Sequence, residues 1–263
     1  MNYRVQSGQD LRLVAKMPSD VQHGIQKKSQ GKRPLLWAAL LFPDLALERH
    51  ANTSNPQAIV VRDGAKRLLM SCNAPARLAG LHEGLTLNAA YAICPSLIVD
   101  DYNEELQQQH INALCHWAMH YSSWVAPVMP DTVMLEIGAS LALFDGLDNF
   151  IKQLQADIQN QNITVVMGVA PTPAAARLLS RISKESDAET ICITDKHCLE
   201  SALQEVPVTA LPFDEFTHKG LRQSGIKHCQ QLFKLPASSL TRRFGSASTE
   251  IVYKLLGLSL IHI

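Results

Sequence analysis

Several things are missing from this chain. No run of eighteen consecutive apolar residues occurs in its 263 residues, so no membrane-spanning helix is expected. Residues 1–33 lack the apolar stretch of a signal peptide. The six cysteines (Cys72, Cys94, Cys115, Cys192, Cys198 and Cys229) form no CxxC pair and no disulfide-framework spacing. Reduced thiols in a cytoplasmic protein are the expected state. There is also no G-x-x-x-x-G-K-[ST] phosphate loop and no G-x-S-x-G nucleophile elbow.

What is present reads as globular, with 46% hydrophobic and 18% charged residues and enough length for one large domain or two or three small ones. The net charge of zero hides a segregation. Residues 1–33 carry seven Lys/Arg against two Asp/Glu, and residues 216–254 carry seven against Glu250 alone. The span 34–215 sums to −11. A basic C-terminal module on an acidic body points to a polyanion as partner.

Periodicity sketches the elements. Leu35 to Leu41 is an apolar run ended by Pro43, a buried strand. The segments 58–62 and 67–70 flank Asp63 and Gly64, a hairpin signal. Short helices are expected over 74–79 and 87–93, and an amphipathic one over 103–121. A strand at 132–137 precedes a helix carrying Leu147, Phe150, Ile151, Leu154 and Ile158; a strand at 163–169, a helix at 174–182 and a short strand at 191–193 follow. Alternating strands and helices predict a layered core. From Leu211 onward short helices separated by Gly and Pro take over, which puts a domain boundary within 184–212.

Two weaker patterns have plain structural readings. His116 and His120 stand at zinc-compatible i, i+4 spacing without an evident third ligand. Asp100, Asp101, Glu104 and Glu105 suit a helix start.

Five segments carry chemistry. Pro34 to Glu48 reads PLLWAALLFPDLALE; Met129 to Ile137 reads MPDTVMLEI; Ser71 to Leu81 reads SCNAPARLAGL. Gly168 to Arg177 reads GVAPTPAAAR, and Leu221 to Pro236 reads LRQSGIKHCQQLFKLP, followed by LTRRFG from Leu240 to Gly245. In this order and spacing they resemble the landmarks of the Y-family translesion DNA polymerases over about residues 34–258. The resemblance implies a mixed α/β (α+β) fold: a palm (34–41 and 101–184), fingers (42–100), and a small all-helical thumb (185–258) with a helix-hairpin-helix near 216–245.

That resemblance also exposes losses. The first strand of the family carries two metal-binding aspartates where this chain has Ala39 and Leu41, while Glu48 matches the end of the motif. The acidic pair of the second strand is Asp131 and Thr132. Glu136 shares a strand face with Thr132 but lies roughly 13 Å along it, too far to substitute. One monodentate carboxylate should not hold two hard divalent cations. Arg77 keeps the position of a triphosphate-binding arginine, but the adjoining tyrosine and lysine are Ala74 and Leu78. Asp44 stands where an aromatic excludes ribonucleotides. Arg177 takes a second phosphate-binding lysine's place, with Thr172 and Pro173 replacing an Asn-Lys pair. In the thumb, Gly225, Ile226 and Lys227 form a hairpin whose glycine is expected to leave backbone N–H groups free for a phosphate oxygen, helped by Arg222, Arg242 and Arg243.

This pattern of losses resembles the ImuB-type branch, polymerase-like members of a bacterial mutagenesis complex. The resemblance implies a non-catalytic, DNA-binding protein without cofactor or metal. It would be cytoplasmic and nucleoid-associated, working in DNA repair and SOS mutagenesis with a partner error-prone polymerase and the sliding clamp. An active polymerase using Mg²⁺ through Asp131 and an atypical acid, Asp44 or Glu136, is the alternative; a DNA-independent interaction protein is a third class. Residues 1–33 read as a mobile basic leader. At 259–263 the chain stops short of the family's little finger and clamp-binding tail, as a truncated product would.

Overall fold

A computed structural model describes residues 35–47, 55–161, 163–186 and 188–258. The basic leader, Glu48 and the segment 259–263 therefore lie outside the described residues. In chain order the elements are β1 (Trp37–Leu41), β2 (Gln57–Asp63), β3 (Lys66–Cys72), α1 (Ala74–Leu78), α2 (Leu87–Ile93), β4 (Ile98–Asp101), α3 (Glu104–Ala118), β5 (Val125–Val128), β6 (Thr132–Glu136), α4 (Leu147–Asn160), β7 (Val166–Ala170), α5 (Pro173–Ser186), β8 (Thr190–Cys192), α6 (Lys196–Ala202), α7 (Glu215–Gln223), α8 (Cys229–Phe233) and α9 (Ala237–Leu256).

The apolar run of β1 has a topological cause: it is central in a five-stranded sheet of order β5-β6-β1-β7-β8, covered on both faces. Ala38, Leu40 and Phe42 face a core built with α3 and α4, where Ile111, Leu114, Phe150, Leu154 and Ile158 are buried. Ala39 faces the other way, into a second core with Met134, Ala170 and α5. Gly168 lets α5 lie directly on the sheet, since a Cβ there would come within 2.1 Å of the Ala176 carbonyl oxygen. A smaller sheet, β3-β2-β4, holds its own core of Ala58, Val60, Leu69, Ala76, Leu87 and Ala90. The expected hairpin is present, but Asp63 pairs with Lys66, so the two loop residues are Gly64 (φ +58) and Ala65, with glycine in the first turn position.

The structure departs from the sequence reading in three places. Strands β4 and β5 are additional; each has four residues, and Pro127 within β5 is tolerated because β5 is a sheet edge. The five-stranded sheet does not end at residue 184, because β8 pairs in parallel with β7. Nor does a gap in packing separate sheet from helices: Leu221, Leu240, Phe244 and Leu255 belong to the same buried cluster as Ala39 and Met134.

Candidate functional site

Ladder register brings together the positions where the resemblance expects metal-binding acids. Leu41 pairs with Thr132 on one side and Val166 on the other, and Ala39 with Met134 and Gly168. Directly opposed residues share a sheet face, so Ala39, Leu41 and Thr132 lie on the face that α5 covers. They are packed rather than open: Ala39 and Thr132 are 0% exposed and Leu41 is 3% exposed. Asp131 precedes β6; its Oδ1 accepts the Thr132 hydroxyl at 2.9 Å and its carbonyl accepts the Phe42 N–H at 2.8 Å. Arg177, on α5, lies close enough to feel that carboxylate. Burial holds its guanidinium below the usual range, Arg181 pushes the same way, and Asp131 opposes both. Its Nε is buried without a partner among the described residues.

Two aliphatic side chains, one hydroxyl and one carboxylate do not fit a pair of divalent cations that each want several oxygen ligands. Among the described residues no group of three or more His, Cys, Asp and Glu could hold a metal ion. Glu136 is committed elsewhere: it pairs with Trp37 in the ladder, and its Oε1 accepts the Gly138 N–H at 3.0 Å. His116 and His120 each engage a backbone carbonyl through Nδ1, at 2.9 and 2.8 Å.

The second cluster lies on the small sheet's first helix. Asn73 caps α1 by accepting the Ala76 N–H, with proline in the first turn. Arg77, in its last turn, reaches Asp44 at 3.5 Å. The residue expected to hold a triphosphate thus faces an internal anion from a position 33 residues earlier. The pair edges a cleft of about 530 Å³ that Gln155, Gln159, Lys184 and Glu189 also line. Lys184 bridges back to Glu83 at 3.8 Å. Leu78, in the expected lysine's place, is 90% exposed. Sequence reasoning saw Asp44 and Arg77 separately; only opposite charge hinted at their pairing.

At the β7–α5 turn, Thr172 has become a structural anchor. Its hydroxyl donates to the Leu255 carbonyl at 2.8 Å, and Lys196 Nζ donates to the Gly257 carbonyl at 2.8 Å. The end of α9 is thereby fixed to the starts of α5 and α6.

The hairpin between α7 and α8 corrects an expectation. Gly225 does adopt φ +70, but the backbone N–H groups are not free. Gly225 donates to Arg222, Ile226 to Leu221, and both Lys227 and His228 to the Gln231 side-chain oxygen, at 2.7 and 3.2 Å. Gln231 stands where a phosphate oxygen was expected; it lies within the segment already singled out but was assigned no role. Ile226 is buried in the core. Lys227, Arg242 and Arg243 are exposed, and Arg222 is exposed but paired with Glu215 at 2.8 Å. Arg242 and Arg243 stand just before a break in α9 at Gly245 (φ 84, ψ 163), spanned by a 2.8 Å bond between the Thr241 and Thr249 hydroxyls.

Comparison with known proteins agrees with this architecture. Residues 44–181 match the family described as impB/mucB/samB. The chain is 25% identical over 206 residues to DNA polymerase IV of Mannheimia succiniciproducens, covering 78% of this chain and 57% of that one. It is 25% identical over 178 residues to Protein ImuB of Caulobacter vibrioides, covering 68% of this chain and 38% of that one. The chain thus spans less than two thirds of either relative. Among solved structures, DinB from Sulfolobus solfataricus superposes with a TM-score of 0.67 at 19% identity, covering 84% of this chain and 67% of that one. A Y-family DNA polymerase chimera built on Dbh gives 0.69 at 18% identity over the same shares. The described residues therefore have the fold of the Y-family polymerases.

Proposed function

Because the chain belongs to the impB/mucB/samB family, we propose that it is a polymerase-like DNA-binding protein that performs no nucleotidyl transfer itself and assists error-prone translesion synthesis. One observation carries this reading: Ala39, Leu41 and Thr132, where the Y-family resemblance expects metal-binding acids, are packed at 0–3% exposure. Carboxylates are replaced by side chains that seal the face, which is more than a vacancy. The Asp44–Arg77 pair supports the same reading, since an anion beside the arginine opposes an incoming triphosphate.

In this reading the five-stranded sheet with α3, α4 and α5 is the palm, the small sheet with α1 and α2 the fingers, and the helices from α6 to α9 the thumb. DNA is met through exposed Lys227, Arg242 and Arg243, with Arg222 released from Glu215 as phosphates approach. Gly225 and Ile226 shape the hairpin without touching DNA. No metal or other cofactor is needed for that contact. The partner polymerase supplies the chemistry, and the sliding clamp supplies residence on DNA. The similarity to Protein ImuB supports the non-catalytic part of this reading. Among the described residues no helix is long and apolar enough to cross a membrane, and a site of action on chromosomal DNA in the cytoplasm follows from the proposed role.

Primer extension with Mg²⁺ or Mn²⁺, run beside fluorescence anisotropy on the same primer-template, tests the proposal. The expected result is salt-sensitive DNA binding without incorporation. Template-directed incorporation that Asp131→Ala abolishes would establish the active alternative instead. Absence of DNA binding at low salt would make this a protein-interaction module.

A further inference from the structure

Between Arg77 and Lys152 the chain carries neither lysine nor arginine, while nine aspartates and glutamates fall in the same span. That span supplies α3, β5, β6 and the Leu141–Phe144 turn. On it stands Trp124, 48% exposed, unusual for a side chain with so much apolar area. Its backbone is pinned. The Ser122 hydroxyl, on a residue 3% exposed, bridges the carbonyls of Trp124 and Glu136 and accepts the Trp124 N–H. The Trp37 ring meets Trp124 edge-on, with centroids 4.7 Å apart and planes at 89°. Glu136 lies beside Trp37 in the ladder and so shares its face. The two indoles at right angles thus lie on the same sheet face as the Glu136 side chain, and Leu35, two residues before Trp37, is 62% exposed.

We infer that this face docks an arginine side chain presented by a protein partner. A planar guanidinium stacks on an indole face while its N–H fork pairs with a carboxylate, so it uses both features at once. A rigid, exposed tryptophan is the kind of anchor on which binding energy concentrates. The acidic span that carries Trp124 and Glu136 favours a basic segment as the occupant, which separates this surface from the basic helices. Glu136 keeps its bond to Gly138 through Oε1 and offers Oε2 to the ligand.

The three tryptophans make the test internal, because Trp117 lies on α3 away from this pair and packs in the other core. Indole ¹⁵N–¹H signals of the whole chain, assigned by single Trp→Phe changes, are followed on titration with acetyl-Ala-Arg-Ala-amide and with its citrulline counterpart. The arginine peptide should move the Trp124 and Trp37 signals and leave Trp117 in place; citrulline should move none. Glu136→Gln, which preserves the Gly138 bond, should weaken the arginine response roughly 3- to 10-fold, by analogy with exposed charge-assisted contacts. Equal responses to both peptides, no response to arginine, or an unchanged affinity in Glu136→Gln would overturn the assignment. So would a single-stranded oligonucleotide that moves the same two signals.

Discussion

The five-stranded sheet and the helices that follow it treat charge in opposite ways. In the sheet, positions expected to carry acid are aliphatic or hydroxyl-bearing and sealed, and the site charges that remain are near internal partners: Thr132 donates to Asp131, and Arg177 sits near the same carboxylate. In the helices, Lys227, Arg242 and Arg243 stay on the surface. The apolar packing is shared, since one cluster runs from Ala39 to Leu255. Ala39, at a position where the Y-family resemblance expects a metal-binding acid, is therefore packed into a core that the basic helices help to close.

Glycines give the largest way to break this comparison. At Gly168 an added methyl meets the backbone of α5, at 2.1 Å from the Ala176 oxygen and 2.3 Å from the Ser180 nitrogen. At Gly220 it meets only the Phe244 ring, at 3.0 and 3.3 Å. Backbone cannot yield as a ring can, so Gly168→Ala should cost about 4 kcal/mol or prevent folding. Gly220→Ala should cost about 1 kcal/mol, part of the clash being offset by better helix propensity. Urea unfolding of the two variants checks this; equal losses would mean that sheet and helices are equally forgiving.

Next in size is Leu41→Asp. A carboxyl forced into a site 3% exposed should cost about 3 kcal/mol in urea titrations, without creating polymerase activity, because Ala39 and Thr132 are unchanged. A variant as stable as the parent would show that this face opens to water. For the helices, Arg242→Glu with Arg243→Glu should leave stability within about 0.5 kcal/mol while lowering DNA affinity about 10- to 100-fold and flattening its dependence on salt. Anisotropy at two salt concentrations reads both.

The long periodic elements were legible in the sequence for a physical reason: α4 repeats Leu147, Phe150, Leu154 and Ile158 on one buried stripe, and β1 is apolar on both faces because it is central. The short edge elements were not, as β4 and β5 have four residues each and bury little. At the site, residue identities alone showed Ala39, Leu41 and Thr132 where the Y-family resemblance expects acids. What they could not give was what fills the space. The Asp44–Arg77 pair, the Thr172 anchor and the Gln231 oxygen at the hairpin depend on how the chain folds back or on which way a side chain turns, and neither leaves a pattern in composition or periodicity.

The smallest expected effect compares one thiol in each region, half-buried Cys192 and buried Cys229. Burial pushes Cys192 of β8 up to about 12, with Asp148 adding to it, and burial alone does the same to Cys229 of α8. In the unfolded chain both titrate near 9.0. A raised folded value means that the native state holds its proton while the unfolded state releases it. Their contribution to stability is thus complete below pH 9 and declines as pH rises from 9 toward 12. Guanidinium unfolding at pH 8 and pH 10.5 should show the decline, and Cys192→Ala or Cys229→Ala should each remove a comparable share of it. If only one substitution flattened the profile, the other thiol would have to lie nearer to water than its packing indicates, and the shared core would be looser on that side.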